Sequence, residues 1–116
     1  MRGVLQMREN EDILLTIMGL ISNGGDAKSN LMEAIAESKT GNFNNAEEKF
    51  SLAEESLLKA HTSQTKMLTE EASGNSSEVS LLMVHAQDHL MNAITLKDVT
   101  REIIDIHKRI DQIKDF

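Results

Sequence analysis

The chain has 116 residues, a formal net charge of −7, no cysteine and no proline. This length accommodates one domain, residues 1–116, with a single core. The lack of cysteine excludes disulfides, thiolate zinc sites and a thiol nucleophile. The acidic charge argues against a nucleic-acid partner, which needs clustered Lys and Arg. With only 3 aromatic residues, a deep pocket for a sugar or a nucleotide is not expected.

The composition favours long helices. Leu, Met, Ala, Glu and Lys are common, the strand formers Val, Tyr and Trp are scarce or absent, and no proline interrupts the backbone hydrogen bonds of a helix. The longest apolar stretch, residues 13–21, is too short to span a bilayer, and the first residues lack a signal-peptide pattern. We therefore predict an all-α protein without direct membrane insertion, located in the cytoplasm.

The first helix is predicted to begin near Asn10 or Glu11, with residues 1–9 frayed. The Asn-Gly-Gly-Asp sequence at residues 23–26 is expected to break or kink it. An amphipathic continuation ends before Gly41, a residue suited to the left-handed position that follows a helix.

The second helix is predicted over residues 44–71. Its inward positions recur at steps of four and three: Ala46, Phe50, Ala53, Leu57, Ala60, Gln64 and Met67. A turn follows at residues 73–77, where Ser76 or Ser77 is the expected N-cap of a third helix over residues 78–115. Short turns between long helices favour antiparallel neighbours, so we predict an antiparallel up-down-up three-helix bundle.

The third helix carries two stripes on opposite sides. One suffices to pack it against the other helices: Leu82, Met83, Ala86, Leu90, Ala93 and Ile94. The other is spaced like a coiled-coil seam: Leu81, His85, Asp88, Asn92, Thr95, Val99, Ile103, Ile106, Ile110 and Ile113. Isoleucine at both core positions disfavours dimers, so we predict a homotrimer with the third helices central. The alternative is that this seam packs against the first helix of the same chain.

The middle of the seam is polar and contains one carboxylate, Asp88. On a threefold axis three copies of Asp88 would converge, and their charge would need a cation or bound protons. Oxygen ligands suit a hard divalent ion such as Mg²⁺. The alternative is that Asp88 only fixes register and oligomeric state.

His85 and His89 form an i, i+4 pair, a spacing that can chelate zinc. No third ligand of the usual type stands nearby, and a histidine in a helix seam is most often a hydrogen-bonded structural residue. The residues alone therefore favour a structural role over catalysis.

A resemblance alters that ranking. The run Val84-His85-Ala86-Gln87-Asp88-His89-Leu90-Met91 closely resembles the enzyme IIA component of the lactose/cellobiose (diacetylchitobiose) class of the bacterial phosphotransferase system. Further matches at residues 25–29, 33–34, 41–43 and 60–65 extend the likeness from about Asp12 to Arg109.

The resemblance implies a trimer of three-helix subunits and a phosphotransferase component that forms a phosphohistidine. His85 matches the family's phosphoryl acceptor. The group would arrive from the histidine-containing carrier HPr and leave to a cysteine of the cognate enzyme IIB during uptake of a β-linked disaccharide such as lactose or cellobiose. Asp88 matches the family's shared metal ligand, one per subunit, which implies one divalent ion, Mg²⁺, per trimer.

The chemistry suits histidine, because a neutral imidazole nitrogen can attack phosphorus near physiological pH and the product readily gives the group away. We predict attack through Nε2 of His85, since Nδ1 lies closer to the helix backbone. Gln87, His89 and Gln64 are candidates to hydrogen-bond the phosphoryl oxygens or to orient the ring, with ordinary interface packing as the alternative.

The sequence is also compatible with two other functions. One is a structural trimeric helical interaction protein whose polar layer fixes register. The other is a zinc-binding helical protein that uses His85 and His89.

Overall fold

Three helices form the described part of the chain. The computed structural model describes residues 2–75 and 78–114. Within these ranges α1 spans Arg2–Lys39, α2 spans Phe43–Ala72 and α3 spans Leu81–Ile113. Neither range contains a strand, which confirms the all-α prediction. None of these described helices is long and apolar enough to cross a membrane.

The helices are connected by turns built on glycines with left-handed backbones. Gly41 has a φ of +81° and Gly74 a φ of +90°, a region that residues with a Cβ rarely occupy. After α1, the Asn42 N–H donates to the Glu37 carbonyl over 3.0 Å, and the Gly41 N–H donates to the Ser38 carbonyl over 3.2 Å. The same two bonds recur after α2 around Gly74. They satisfy carbonyls that a helix end leaves open, so Gly41 ends the first helix as predicted.

The predicted start of the first helix is wrong. α1 begins at Arg2 rather than near Asn10 or Glu11, so the predicted fraying of residues 1–9 is wrong for the described residues 2–9, and Met1 lies outside them. All described side chains before residue 13 are exposed, so no apolar stripe marks this segment. It is helical because it contains good helix formers and no proline.

A break or a kink was predicted at residues 23–26, and the break is wrong, because α1 is continuous through both glycines. Gly24 faces α3: a Cβ at this position would lie 3.3 Å from the carbonyl carbon of His89. Each mid-helix glycine costs about 1 kcal/mol relative to alanine. Packing against the other two helices outweighs that cost and keeps α1 in one piece.

The bounds of α2 lie within one residue of the prediction, whereas α3 begins later than predicted. Its N-cap is Ser80, whose Oγ accepts a hydrogen bond of 3.1 Å from the Met83 N–H. The predicted caps Ser76 and Ser77 lie outside the described residues. Three serines precede α3, and the choice among them depends on where the preceding turn ends.

The core is formed by alanines between larger aliphatic side chains. Ala27, Ala34 and Ala53 are among the fully buried alanines, and small residues let helix backbones approach closely. Leucine and isoleucine fill the space between them, with Leu20, Leu31, Leu90 and Ile104 fully buried. The predicted inner stripe of α2 is confirmed: its first five members are buried, and Gln64 and Met67 are half-buried.

An ion-pair network joins the start of α2 to the second half of α3. Glu47 accepts two hydrogen bonds of 2.7 Å from Arg101 and one of 2.9 Å from Lys108. The Arg101 guanidinium also lies 4.2 Å from the centre of the Phe50 ring. These hydrogen bonds from Arg101 and then Lys108 lower the pKa of Glu47 to about 2.

The second stripe of α3 is left uncovered within the chain. Val99, Ile106, Ile110 and Ile113 are each about half exposed, and Leu81 is 85% exposed. The alternative that α1 covers this seam is therefore wrong for these positions. In the single chain the seam is therefore an exposed apolar line on one face of α3.

Candidate functional site

Two histidines on the first turns of α3 form the centre of the site. Nε2 of His85 and Nε2 of His89 are 3.0 Å apart, and the rings meet edge to face with centroids 4.5 Å apart and an interplanar angle of 86°. One ring must donate an N–H from Nε2 while the other presents its lone pair. His85 is exposed and His89 is half-buried, so solvent or a partner can reach the His85 ring.

α1 packs closely against the backbone of α3 at His89. The 3.3 Å approach described above places the backbone of Gly24 directly against that of His89. His89 also follows Ala86 and precedes Leu90 and Ala93, which are fully buried against the other helices. The ring of His89 therefore projects from a closely packed part of α3, and His85 contacts it from the exposed side.

Gln64 and Gln87 lie together, apart from the histidines. Gln64 Nε2 donates a hydrogen bond of 2.7 Å to Oε1 of Gln87, which joins α2 to α3. Neither glutamine hydrogen-bonds His85 within the described residues. Of the three candidate supporting residues, the structure thus brings only His89 to His85. The two glutamines lie where α2 faces α3.

Asp88 is exposed one turn after His85. It makes no hydrogen bond or ion pair with any described residue, so its carboxylate oxygens are free to act as ligands. Among residues 2–75 and 78–114, no three His, Cys, Asp or Glu side chains are grouped to hold a metal. An Asp88 site as predicted therefore needs one carboxylate from each subunit of a trimer, since a single chain supplies only one of its ligands.

A hollow beside the site was not predicted from the sequence. It has a volume of about 360 Å³ and lies between the end of α2 and the start of α3. Most of its walls are apolar: Met67, Leu68, Val79, Met83 and Val84. Three polar side chains complete the lining: Glu71, Gln87 and Asp88. Leu68, Val79 and Val84 are apolar residues outside the predicted inner stripes, and they are the feature of the sequence from which an apolar hollow could have been predicted. The hollow extends apolar surface up to the polar section of the seam.

Comparison with known proteins gives consistent results. The chain matches the family model of the lactose/cellobiose-specific IIA subunit of the phosphotransferase system (PTS) over residues 15–108. The lichenan-specific phosphotransferase enzyme IIA component of Bacillus subtilis (strain 168) is 47% identical over 103 residues, covering 89% of this chain and 94% of that protein.

Two solved structures share the fold. The crystal structure of the PTS cellobiose-specific enzyme IIA from Bacillus anthracis has a TM-score of 0.82 at 42% identity, covering 84% of this chain and 90% of that one. The IIA(Chitobiose) chain solved in solution with HPr from Escherichia coli has a TM-score of 0.72 at 34% identity, covering 83% and 93%. The chain therefore belongs to the lactose/cellobiose-specific family of IIA subunits, which are phosphotransferase components of the PTS.

Proposed function

We propose that this chain carries a phosphoryl group on Nε2 of His85, accepting it from HPr and passing it to the cysteine of the cognate enzyme IIB. The observation that carries this proposal is the pair of rings at the start of α3. His85 is exposed, and its Nε2 is 3.0 Å from Nε2 of His89. An accessible neutral imidazole with a fixed neighbour is the arrangement that nucleophilic acceptance of a phosphoryl group requires.

The transfer balances as two displacements at phosphorus. In the first, the Nε2 lone pair of His85 forms a bond to phosphorus while the bond between phosphorus and the HPr histidine breaks, and the electron pair returns to HPr. In the second, the thiolate of enzyme IIB forms the new bond and the pair returns to His85. Other residues need not form covalent bonds in either step. The rate therefore depends on how the reacting groups are positioned and on hydrogen-bond donors to the phosphoryl oxygens.

His89 is suited to set the tautomer of His85. If His89 donates its Nε2–H across the 3.0 Å contact, the lone pair of His85 lies on Nε2 and its proton on Nδ1, as attack through Nε2 requires. Once His85 carries the group, the same N–H can donate to a phosphoryl oxygen. On the other flank, Gln64 occupies only the carbonyl oxygen of Gln87, which leaves the Gln87 amide hydrogens as donors.

The uncovered seam supports assembly of three subunits, each an up-down-up bundle, with the α3 helices central. Exposed isoleucines repeat along it in heptad spacing, and isoleucine at both core positions favours trimers over dimers. Three Asp88 carboxylates would then hold one divalent ion, with Mg²⁺ favoured by its preference for oxygen ligands. Such an ion supplies positive charge at the axis. The transfer steps above belong to His85 and its neighbours.

The relatives support the choice of partner and leave several sugars open. The E. coli IIA(Chitobiose) chain was solved in complex with HPr, and its fold matches this one over 83% of the chain. The relatives described above are named for lichenan, cellobiose and chitobiose. We propose that the sugar taken up downstream is a β-linked disaccharide such as cellobiose or lactose.

A phosphorylation assay tests the proposal. The chain is incubated with phosphoenolpyruvate, enzyme I and HPr, and its intact mass is measured. We expect a single added phosphoryl group, absent in His85→Ala and retained in His61→Ala, a matched control on the exposed side of α2. An unmodified wild-type chain with active controls would favour the rival, a structural trimeric helical protein.

A further inference from the structure

His85 and His89 converge through the same ring atom, which suits a transition metal as well as a phosphoryl group. We propose that the two Nε2 atoms form a site for Zn²⁺, or a similar transition-metal ion, that competes with phosphorylation of His85. Two nitrogen ligands of a tetrahedral zinc, each at about 2.0–2.1 Å from the metal, stand about 3.3–3.4 Å apart. The observed separation is 3.0 Å, so the rings need to open by only a few tenths of an ångström.

The exposure of the pair allows that adjustment. His85 is exposed in the single chain, and neither ring makes another hydrogen bond with the described residues. A small rotation of the His85 ring therefore breaks nothing except the contact that the metal replaces. His89, held against α1 at Gly24, provides the fixed ligand.

The protons balance when both rings are neutral. In the metal-free pair one ring carries its proton on Nε2 and uses it in the shared hydrogen bond. In the metal-bound pair both rings carry their protons on Nδ1, and both Nε2 lone pairs bind the ion. Zinc therefore binds without net proton release from the neutral pair.

Water must complete the coordination shell in the single chain. No third His, Cys, Asp or Glu is grouped with the two rings among the described residues. Structural zinc sites have four protein ligands and are closed, whereas a site with two protein ligands exchanges its metal readily. This is the behaviour of a reversible inhibitor site.

The competition follows from a shared lone pair. His85 Nε2 cannot bind zinc and attack phosphorus at the same time. This consequence rests on the proposed function, whereas metal binding by the pair does not. The two parts of the inference therefore need separate measurements.

Zinc binding is measured first, by titrating the metal-stripped full-length chain with Zn²⁺ in competition with a chromophoric chelator. We expect one ion per chain, with affinity reduced about tenfold or more in His85→Ala and in His89→Ala, because a single ring remains as ligand. His61→Ala and His107→Ala, which alter the other two histidines, should bind as the wild type does. Asp88→Asn should keep the one ion per chain held by the histidines and should lose only an ion shared between three subunits. Binding of one ion per chain that survives both His85→Ala and His89→Ala would overturn the site.

Competition is measured with phospho-HPr prepared beforehand and freed of enzyme I. Zinc should slow transfer to the wild-type chain, and excess EDTA should restore it. The His89→Gln variant, which lacks one ligand, should transfer at its own rate with or without zinc, and this comparison controls for zinc acting on HPr. Zinc that binds the wild type without slowing transfer would overturn the competition. No transfer even without zinc would instead refute the proposed function, while the titration still decides the metal site.

Discussion

At the residue scale, the candidate site is one exposed histidine, His85, in contact with a single partner ring, His89. The i, i+4 spacing of His85 and His89 predicted that the rings lie on one face of a helix, and they meet at 3.0 Å. The pairing of Gln64 with Gln87 was not predictable, because the rotation of α2 relative to α3 depends on packing across the whole bundle. The resemblance implied a role for His85, and the other three residues were candidates for supporting roles; geometry separates the four into two pairs.

Removing the partner ring should slow phosphoryl acceptance without unfolding the chain. His89→Ala removes the donor to His85 and, after transfer, to the phosphoryl oxygens. We expect a rate from phospho-HPr reduced about 10- to 100-fold, the value of one hydrogen bond to a charged group. His89→Gln keeps an N–H near the position of Nε2 and should recover part of the rate. Rapid-quench kinetics provide the measurement, and a His89→Ala rate equal to that of wild type would contradict this role.

A buried hydroxyl elsewhere in α3 gives a stability prediction. Thr100 is fully buried, and its Oγ1 has no hydrogen-bond partner among the described residues. Thr100→Val replaces the hydroxyl by a methyl group of similar shape and should raise the free energy of unfolding by about 1 kcal/mol. Urea unfolding at fixed chain concentration measures this. Thr62→Val, at an exposed position, is the control. A destabilised Thr100→Val would show that the hydroxyl has a partner.

At the element scale, the sequence predicted helix ends well where their chemistry is local. Gly41 ends α1 because its φ of +81° favours glycine. The same reasoning failed at Gly24, where a long-range contact with His89 decides the outcome. The predicted start of α1 was wrong as well, because helix propensity extends the helix to Arg2, well before the first residue that packs against the other helices. Tertiary contacts therefore account for the errors inside the helices, and the absence of such contacts accounts for the error at the start.

The network around Glu47 predicts a pH dependence of stability. The pKa of Glu47 is about 2 in the folded chain, against an ordinary value of 4.5. Its contribution is therefore present above pH 4.5 and is lost as the pH falls from 4.5 towards 2. Glu47→Gln should be less stable than wild type at neutral pH, and the difference should narrow through this window.

Urea unfolding across a pH series measures the difference between the two proteins. The matched control is Glu54→Gln, an exposed glutamate that makes no ion pair with the described residues. It should follow the wild-type curve. A gap between Glu47→Gln and wild type that stays constant from neutral pH down to pH 2 would contradict the assignment.

At the scale of the whole molecule, the chain leaves a long apolar face uncovered. The period of the sequence predicted that face, and its exposure follows because α1 and α2 pack on the opposite side of α3. Ile106 is 55% exposed on the face. Its exposure in the single chain means that a charge placed there tests assembly rather than folding.

Ile106→Asp should convert a trimer into monomers that remain helical, because three carboxylates would meet in an apolar layer. Sedimentation velocity with circular dichroism measures both properties. Leu52→Asp changes an exposed leucine of α2 that lies off the seam and should remain trimeric. Ile106→Asp with an unchanged sedimentation coefficient, or a monomeric wild type, would contradict assembly through the seam.

The central claim is that His85 carries the phosphoryl group on Nε2. The most direct measurement is nuclear magnetic resonance of the ¹⁵N-labelled chain after phosphorylation by HPr, in which coupling between ³¹P and a ring nitrogen identifies the bonded atom. We expect that coupling at Nε2 of His85, with His89 unmodified. Coupling at Nδ1 of His85, or at either nitrogen of His89, would contradict the account of the site.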